Sequence, residues 1–338
     1  MSNLKVAILV PPEVADAPAD RADTYRQAEE IHQCLTMLGH QALTMIFGSE
    51  RRQTERELLE ARPDCVVNLV EDLPEGPDQQ HRVTECLDRL AIPYTGAGTA
   101  ALRALADKRH AKEVMRQSGL PTPGGLGDAI CRPAATAAPA RYIVKSAIEH
   151  ASIGLDAASV VHGSAAALAL LGRKQAGGGT WFAEEYVDGR EFNVAIVETS
   201  GGLLVLPVAE ILFLDHAGRA KIVGYAEKWH DGSAAYATTP RTFPAGPGDA
   251  ALLTQLRDLA LAGWRLFGLS GYARIDFRVD AAGVPYILEV NANPCLAADA
   301  GFCAAASEAG MTQTDIVAHL IETALARPDP LAPDRRAG

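Results

Sequence analysis

The sequence predicts an α/β chain, with a helix-covered parallel sheet first and antiparallel strands after it. Three observations carry that expectation. Early in the chain, apolar runs alternate with helix-length polar stretches, the pattern of strands joined by crossover helices. From about Thr99 the pattern changes, and the later runs follow one another across tight turns. With 338 residues and 48% hydrophobic content, the chain can build two or three packed units with real cores.

Taken in order, KVAILV (5–10) is the first strand, and a helical stretch runs from about Asp23 to Gly39, where Gly39 serves as the C-cap. QALTMIF (41–47) is a strand, SERRQTERELLEA a polar helix, and PDCVVNLV (63–70) the third strand. HRVTECLDRLA is helical, and IPYTGAG (92–98) is a short strand entering a glycine turn. TAALRALADKRHAKEVMRQSGL carries two helices, followed by PTPGG and the Ala/Pro-rich linker CRPAATAAPA. RYIVKSAIEHASIGL (141–155) opens as a strand and becomes a loop, and SVV (159–161) closes it. GSAAALALLGRK is a small-residue helix before the loop QAGGG, and WFAEEYVDGREFNVAIVE (181–198) holds two strands around Asp188-Gly189. LLVLPVAEILF and KIVGYAEKWHDG read as further hairpins, and ALLTQLRDLALAGWRLFG as a helix. TQTDIVAHLIETALA is an amphipathic terminal helix, and ARPDPLAPDRRAG a frayed tail. Units at 1–95, 96–184 and 185–325, with a tail at 326–338, follow from this division.

The chemistry begins in YARIDFRVD (272–280) and YILEVNANPC (286–295), two alternating runs separated by AAGVP. Side chains alternate across a strand, so Arg274, Asp276 and Arg278 share one face, as do Glu289 and Asn291, with Leu288 and Val290 opposite. A hairpin closing at Asp280 and Pro285 sets Asp276 opposite Glu289 and Arg274 opposite Asn291. Two facing carboxylates with Cβ atoms about 5 Å apart repel one another. A divalent cation removes that repulsion, and oxygen-only ligands suit Mg²⁺. Solvated surface acids are the commoner fate of Asp and Glu, but the apolar flanks and the neighbouring Asn favour a metal.

Composition excludes other classes. A net charge of −11 argues against a general nucleic-acid binder. No segment approaches the ~20 apolar residues of a membrane span, and the N-terminal run reads as a strand and not as a signal peptide. Cys34, Cys65, Cys86, Cys131, Cys295 and Cys303 are scattered, which suits free thiols in a reducing cytoplasm better than disulfides or a zinc site.

Other residues carry weak signals singly. Lys145 ends a strand and precedes a loop containing Glu149, Ser152 and Gly154, an arrangement able to hold phosphate, although GxxxxGK[ST] and GxGxxG are both absent. Lys108 alone reads as a surface lysine on a helix. The backbone of Glu184, Glu185, Tyr186 and Val187 can bond an adenine edge, and Glu191 can accept from ribose hydroxyls; alone, the stretch reads as a hairpin with acidic caps. Lys228 lies in an aperiodic stretch that fits a lid or a plain surface loop equally.

Their order is more specific. IPYTGAGTAALRALADK, YIVKSAIEHASIG, EEYVDGREFNVAIV, YAEKWHDG, ARIDF and YILEVNANP together resemble an ATP-grasp enzyme of the D-alanine–D-alanine ligase branch, over roughly Pro63 to Leu325. The resemblance implies a two-subdomain ATP-grasp fold behind the N-terminal α/β domain. It implies that Lys108 and Lys145 hold the nucleotide phosphates under the Glu149–Gly154 loop. Glu184 to Val187 would clamp adenine, Glu191 the ribose, and Asp276, Glu289 and Asn291 two Mg²⁺ ions, with Mn²⁺ an alternative. Lys228, Arg274 and Ser152 would face the transferred phosphoryl group. The family reaction makes an acyl phosphate from a carboxylate and ATP, and an amine then displaces the phosphate. The partners implied are small carboxylate and amine substrates, and proteins of this type are commonly homodimers.

Departures fall where substrate is chosen. The chain reads ILVPPEVADAPADRADTY where the family carries a Gly-rich loop with Ser and Glu, leaving Glu13 as the nearest substitute. NLVEDLPEGPDQQH replaces a His-Gly-rich loop, the family's Asn-x-x-Pro-Gly stretch reads Asn291-Ala292-Asn293-Pro294-Cys295, and Ala300 stands at its Ser. Retained activation chemistry with a changed substrate is the expectation. Glu71 and Asp72, at the carboxyl end of a parallel strand, are candidates to bind an ammonium or else solvated loop acids. Cys295 reads as a free, partly buried thiol. Ring closure within one substrate and nucleotide binding without catalysis are the alternatives; three metal ligands and a lid lysine speak against the second.

Overall fold

The computed structural model describes residues 3–13, 19–48, 50–126, 140–149, 152–214, 218–224 and 238–327. Strands β1 (Lys5–Val10), β2 (Gln41–Ile46) and β3 (Cys65–Asn68) form a parallel sheet in the order β2-β1-β3. Helix α1 (Ala19–Met37) covers one face, and α2 (Arg51–Ala61) and α3 (His81–Arg89) cover the other. After Lys5, β1 is apolar and fully buried because both faces are covered. Gly39 adopts φ +79° after α1, where Gly39 N donates to Thr36 O and His40 N to Leu35 O, so the C-cap reading holds. The expected strand at 92–98 is reduced to one parallel bridge between Val66 and Tyr94.

Helices α4 (Thr99–Leu105) and α5 (Lys108–Gln117) follow, joined by Asp107, which caps α5 by accepting from Arg109 N. A small antiparallel sheet comes next, ordered β5-β4-β6, from β4 (Arg141–Ser146), β5 (Val160–His162) and β6 (Trp181–Glu185). Helix α6 (Ser164–Ala176) packs on its outer face against Val144 and Ala183.

The main sheet contains β7 (Gly189–Thr199), β8 (Gly202–Val205), β9 (Ala209–Ile211), β10 (Arg241–Thr242), β11 (Tyr272–Asp280) and β12 (Pro285–Asn291). Its order is β10-β9-β7-β11-β12, with β8 beside β7. Strands β6 and β7 flank Asp188 as expected but form no hairpin with each other: β6 pairs with β4, whereas β7 pairs with β8, β9 and β11. The chain changes sheets at 186–188, which puts the two sheets on either side of one cleft. Nor does the stretch from Lys221 to Gly224 form the expected strand.

Helix α7 (Ala250–Leu266), with α4 and α5, buries the outer face of the main sheet through Leu256, Trp264 and Phe277. Helices α8 (Gly301–Glu308) and α9 (Gln313–Ala326) share one core with α1, β1, β3 and β7. That common core fixes the parallel sheet against the main sheet and positions the space between them. Among the described residues, no helix is long and apolar enough to cross a membrane.

Candidate active site

The β11–β12 hairpin sets the register expected from sequence where the chemistry needs it: Arg274 faces Asn291, and Asp276 faces Glu289. Nearer the turn the pairing slips by one residue, so Val279, and not Asp280, faces Pro285. A β-bulge between Asp276 and Phe277 absorbs the difference, leaving Leu288 as the extra residue. Leu288 therefore lines the cleft beside Glu289 instead of packing opposite it with Val290. Bulges re-aim side chains in this way without ending the sheet.

The two carboxylates carry protein counter-charges of their own. Arg274 grips Asp276 with Nε and a terminal nitrogen at 2.8 and 2.9 Å. Asn193 Nδ2 and Asn291 Nδ2 also donate to Asp276, at 2.7 and 3.0 Å. Across the hairpin, Lys108 Nζ lies 3.2 Å from Glu289 Oε1. The repulsion inferred from the facing acids is thus already met by Arg274 and Lys108. Among the described residues no three of His, Cys, Asp and Glu gather as metal ligands, so a closed cage is absent there. Two carboxylates and one amide do fit Mg²⁺, which takes few protein oxygens and completes its octahedron with water and phosphate.

Alternation along β4 buries Tyr142 and Val144, the latter against Leu170 of α6, and turns Ile143 and Lys145 into the cleft, where the strand's last residue, Ser146, also reaches. Lys145 Nζ lies 2.6 Å from Glu184 Oε1 on the neighbouring strand. Lys108, at the first turn of α5 and only 8% exposed, donates to Glu149 O at 2.5 Å. A helix-surface reading failed for this lysine because the helix packs under the cleft. Ser152 adopts φ +62° and donates from Oγ to Val223 O at 2.9 Å, tying its loop to the segment at 221–224. Tyr186 Oη accepts from Lys221 N at 2.8 Å. Arg278 pairs with Glu191 at 2.7 Å. One cleft is lined by Lys108, Lys145, Glu149, Ser152, the 184–187 segment, Glu191, Asp276 and Glu289. Gly154 lies between the cleft residues Ile153 and Leu155, and a Cβ there would lie 2.7 Å from the Trp181 ring. Lys228 lies outside the described residues.

A second cavity, about 790 Å³, opens further along the same face of the hairpin, past Arg274 and Asn291. Glu191, Val223, Asp276 and Glu289 line both spaces, so they meet at the carboxylate pair. Arg274, Arg241 and Asn293 form one wall of the second cavity, while Asp23, Arg26 and Glu71 come from the N-terminal domain. Asp72 and Glu13 line neither space. Cys295 reaches the cavity, but its thiol donates to Asp23 Oδ2 at 3.2 Å. Burial, then the carboxylates of Glu71 and Asp23, push that thiol far above its ordinary range, so it is a poor nucleophile.

Three participants escaped the sequence reading. Asn193 sits two residues after Glu191 on the same strand face, a signal that alternation offers. Arg278 was placed on the right face but given no partner. Lys112 follows Lys108 by one helical turn and is only 2% exposed, which no sequence signal for an exposed-looking helix would show.

A small sheet and a larger antiparallel sheet closing on a cleft with lysines on one wall and facing carboxylates on the other define an ATP-grasp ligase. Residues 130–322 match the family model described as D-ala D-ala ligase C-terminus. The chain is 31% identical over 333 residues to a D-alanine–D-alanine ligase of Methylococcus capsulatus, covering 95% of this chain and 96% of that protein. It is 30% identical over 310 residues to an uncharacterized protein, y4sG, of Sinorhizobium fredii, covering 88% and 87%. Among solved structures, the D-alanine–D-alanine ligase of Bacillus anthracis complexed with ATP superposes with a TM-score of 0.71 at 18% identity, over 95% of this chain and 97% of that one. D-alanyl-alanine synthetase A of Vibrio cholerae gives 0.72 at 17% identity, over 97% and 100%. The chain belongs to the D-alanine–D-alanine ligase family.

Proposed function

We propose that this ligase joins a small carboxylate substrate to an amine through an acyl phosphate, on amino-acid-like substrates other than the D-alanine pair. One observation carries the reading: the lysine-lined cleft and the second cavity meet at Asp276 and Glu289. ATP in the first space puts its terminal phosphate at that junction, and a substrate carboxylate arrives there from the second.

In this reading Lys108 and Lys145 hold phosphates, the Glu184–Val187 segment clamps adenine, and Glu191 takes the ribose. Asp276, Glu289 and Asn291 would hold Mg²⁺, two ions in the fullest reading, which neutralises charge on the phosphoryl oxygens. Arg274, fixed by Asp276, places a positive charge where the acyl phosphate forms, and such preorganised charge needs no rearrangement during transfer. The Ser152 loop, held to Val223, excludes water from an intermediate that water would hydrolyse. Glu71 and Asp23 give the second cavity an acidic end suited to a substrate ammonium.

The experiment is phosphate release from ATP and Mg²⁺ across a panel of D- and L-amino acids, singly and in pairs. Release that needs two compounds, with D-alanine alone inactive, supports the reading. Release with D-alanine alone at full rate removes the changed substrate, and release with one larger compound points to ring closure.

A further inference from the structure

Lys112 lines neither cavity, yet its placement is costly unless it serves one. Its ammonium is buried in α5, 2.8 Å from Glu184 Oε2 and 3.0 Å from Thr122 Oγ1. Thr122 in turn donates to Ile287 O at 2.8 Å, linking α5 to β12. Glu184 is just 1% exposed and is shared: its other oxygen holds Lys145, which does reach the cleft. A buried pair that only stabilised the fold would need one cation for one carboxylate. Here two cations flank one carboxylate, and only the second faces the ligand space.

The arrangement has an electrostatic consequence. A carboxylate 2.6 Å from Lys145 opposes that ammonium's attraction for any other anion. A second ammonium on the far oxygen offsets much of that opposition. Burial lowers Lys112 to about 8, with Glu184 resisting the shift, so the group is held charged mainly by this pair. Burial alone would raise the Glu184 carboxyl, but Lys112 and Lys145 outweigh it and keep it below its ordinary value.

We propose that Lys112 is a positioning residue that neutralises Glu184 from behind and so leaves Lys145 able to attract nucleotide phosphate. This rests on the assignment of Lys145 to phosphate. The test is calorimetric titration of the full chain with ADP and with adenosine, without added metal, reading the ratio of the two affinities. The ratio isolates the phosphates from any change at the adenine.

Lys112→Met is expected to lower the ratio on the order of tenfold while adenosine affinity stays within about threefold. Lys112→Met/Glu184→Gln restores the ratio to at least the wild-type value, because Lys145 is then unopposed. Glu184→Gln alone raises it, which keeps the proposal testable should Lys112→Met fail to fold. Equal losses for ADP and adenosine in Lys112→Met, or a double variant worse than the single, overturn the proposal and leave Lys112 as a packing residue. No rise in Glu184→Gln also overturns it. Equal wild-type affinities for ADP and adenosine overturn the phosphate assignment and this proposal with it, a failure visible before any substitution is made.

Discussion

Glu289 stands between Lys108 and the opposing Asp276 at the junction of the two cavities, and the proposed chemistry turns on it. Glu289→Gln keeps the size and removes the charge. Turnover, followed by phosphate release, should fall by roughly 10²–10³-fold while the circular dichroism spectrum is unchanged. Near-normal activity would refute the metal assignment. Cys295 offers the opposite case. With its thiol protonated against Asp23, Cys295→Ala should keep turnover within about threefold, and loss of all activity would reopen covalent catalysis. Sequence alone showed Asp276, Glu289, Asn291 and Arg274 as one face because strand alternation is strictly periodic. It did not show that Arg274 would grip Asp276, since side-chain pairing within a face depends on three-dimensional reach. Lys112 stayed hidden for a related reason: burial of a helix's charged face is decided by what packs on it.

At the scale of elements, the decisive feature is the passage from β6 to β7, where the chain leaves one sheet and enters the other. Gly189 begins β7 so close to β11 that a Cβ there would lie 1.9 Å from Val279 O. Gly189→Ala must therefore push the two strands apart. The expected cost is about 1–3 kcal/mol, seen as a melting temperature lower by several degrees. An unchanged melting temperature would mean that the strand start is loose and does not hold the cleft. The strands on either side of this passage were legible from their alternation, but their separation into two sheets was not. A turn such as Asp188-Gly189 ordinarily signals a hairpin, and only the competing partners β4 and β11 decide otherwise. The hairpin bulge belongs with it: the turn residues fixed one register, the site needed another, and Leu288 takes up the difference.

Across the whole molecule, the proposed reading divides the work: the N-terminal domain gives the second cavity its acidic end through Asp23 and Glu71, whereas only later residues line the nucleotide cleft. Glu71→Gln should raise the KM for the amino substrate about tenfold and leave the KM for ATP unaltered. Parallel changes in both constants would place Glu71 in the fold and not in recognition. This division was partly visible beforehand, since the segments departing from family pattern are those around the second cavity, including the Asn293-Pro294-Cys295 stretch. What composition could not supply was the cavity itself, which forms only when α8 and α9 lock the parallel sheet to the main sheet. The most direct measurement is mass spectrometry of the products formed from ATP, Mg²⁺ and pooled D- and L-amino acids. The account predicts ADP, phosphate and a condensation product lighter than its two amino-acid parts by one water. AMP with pyrophosphate, or ATP left intact by a chain that binds ADP, would contradict it.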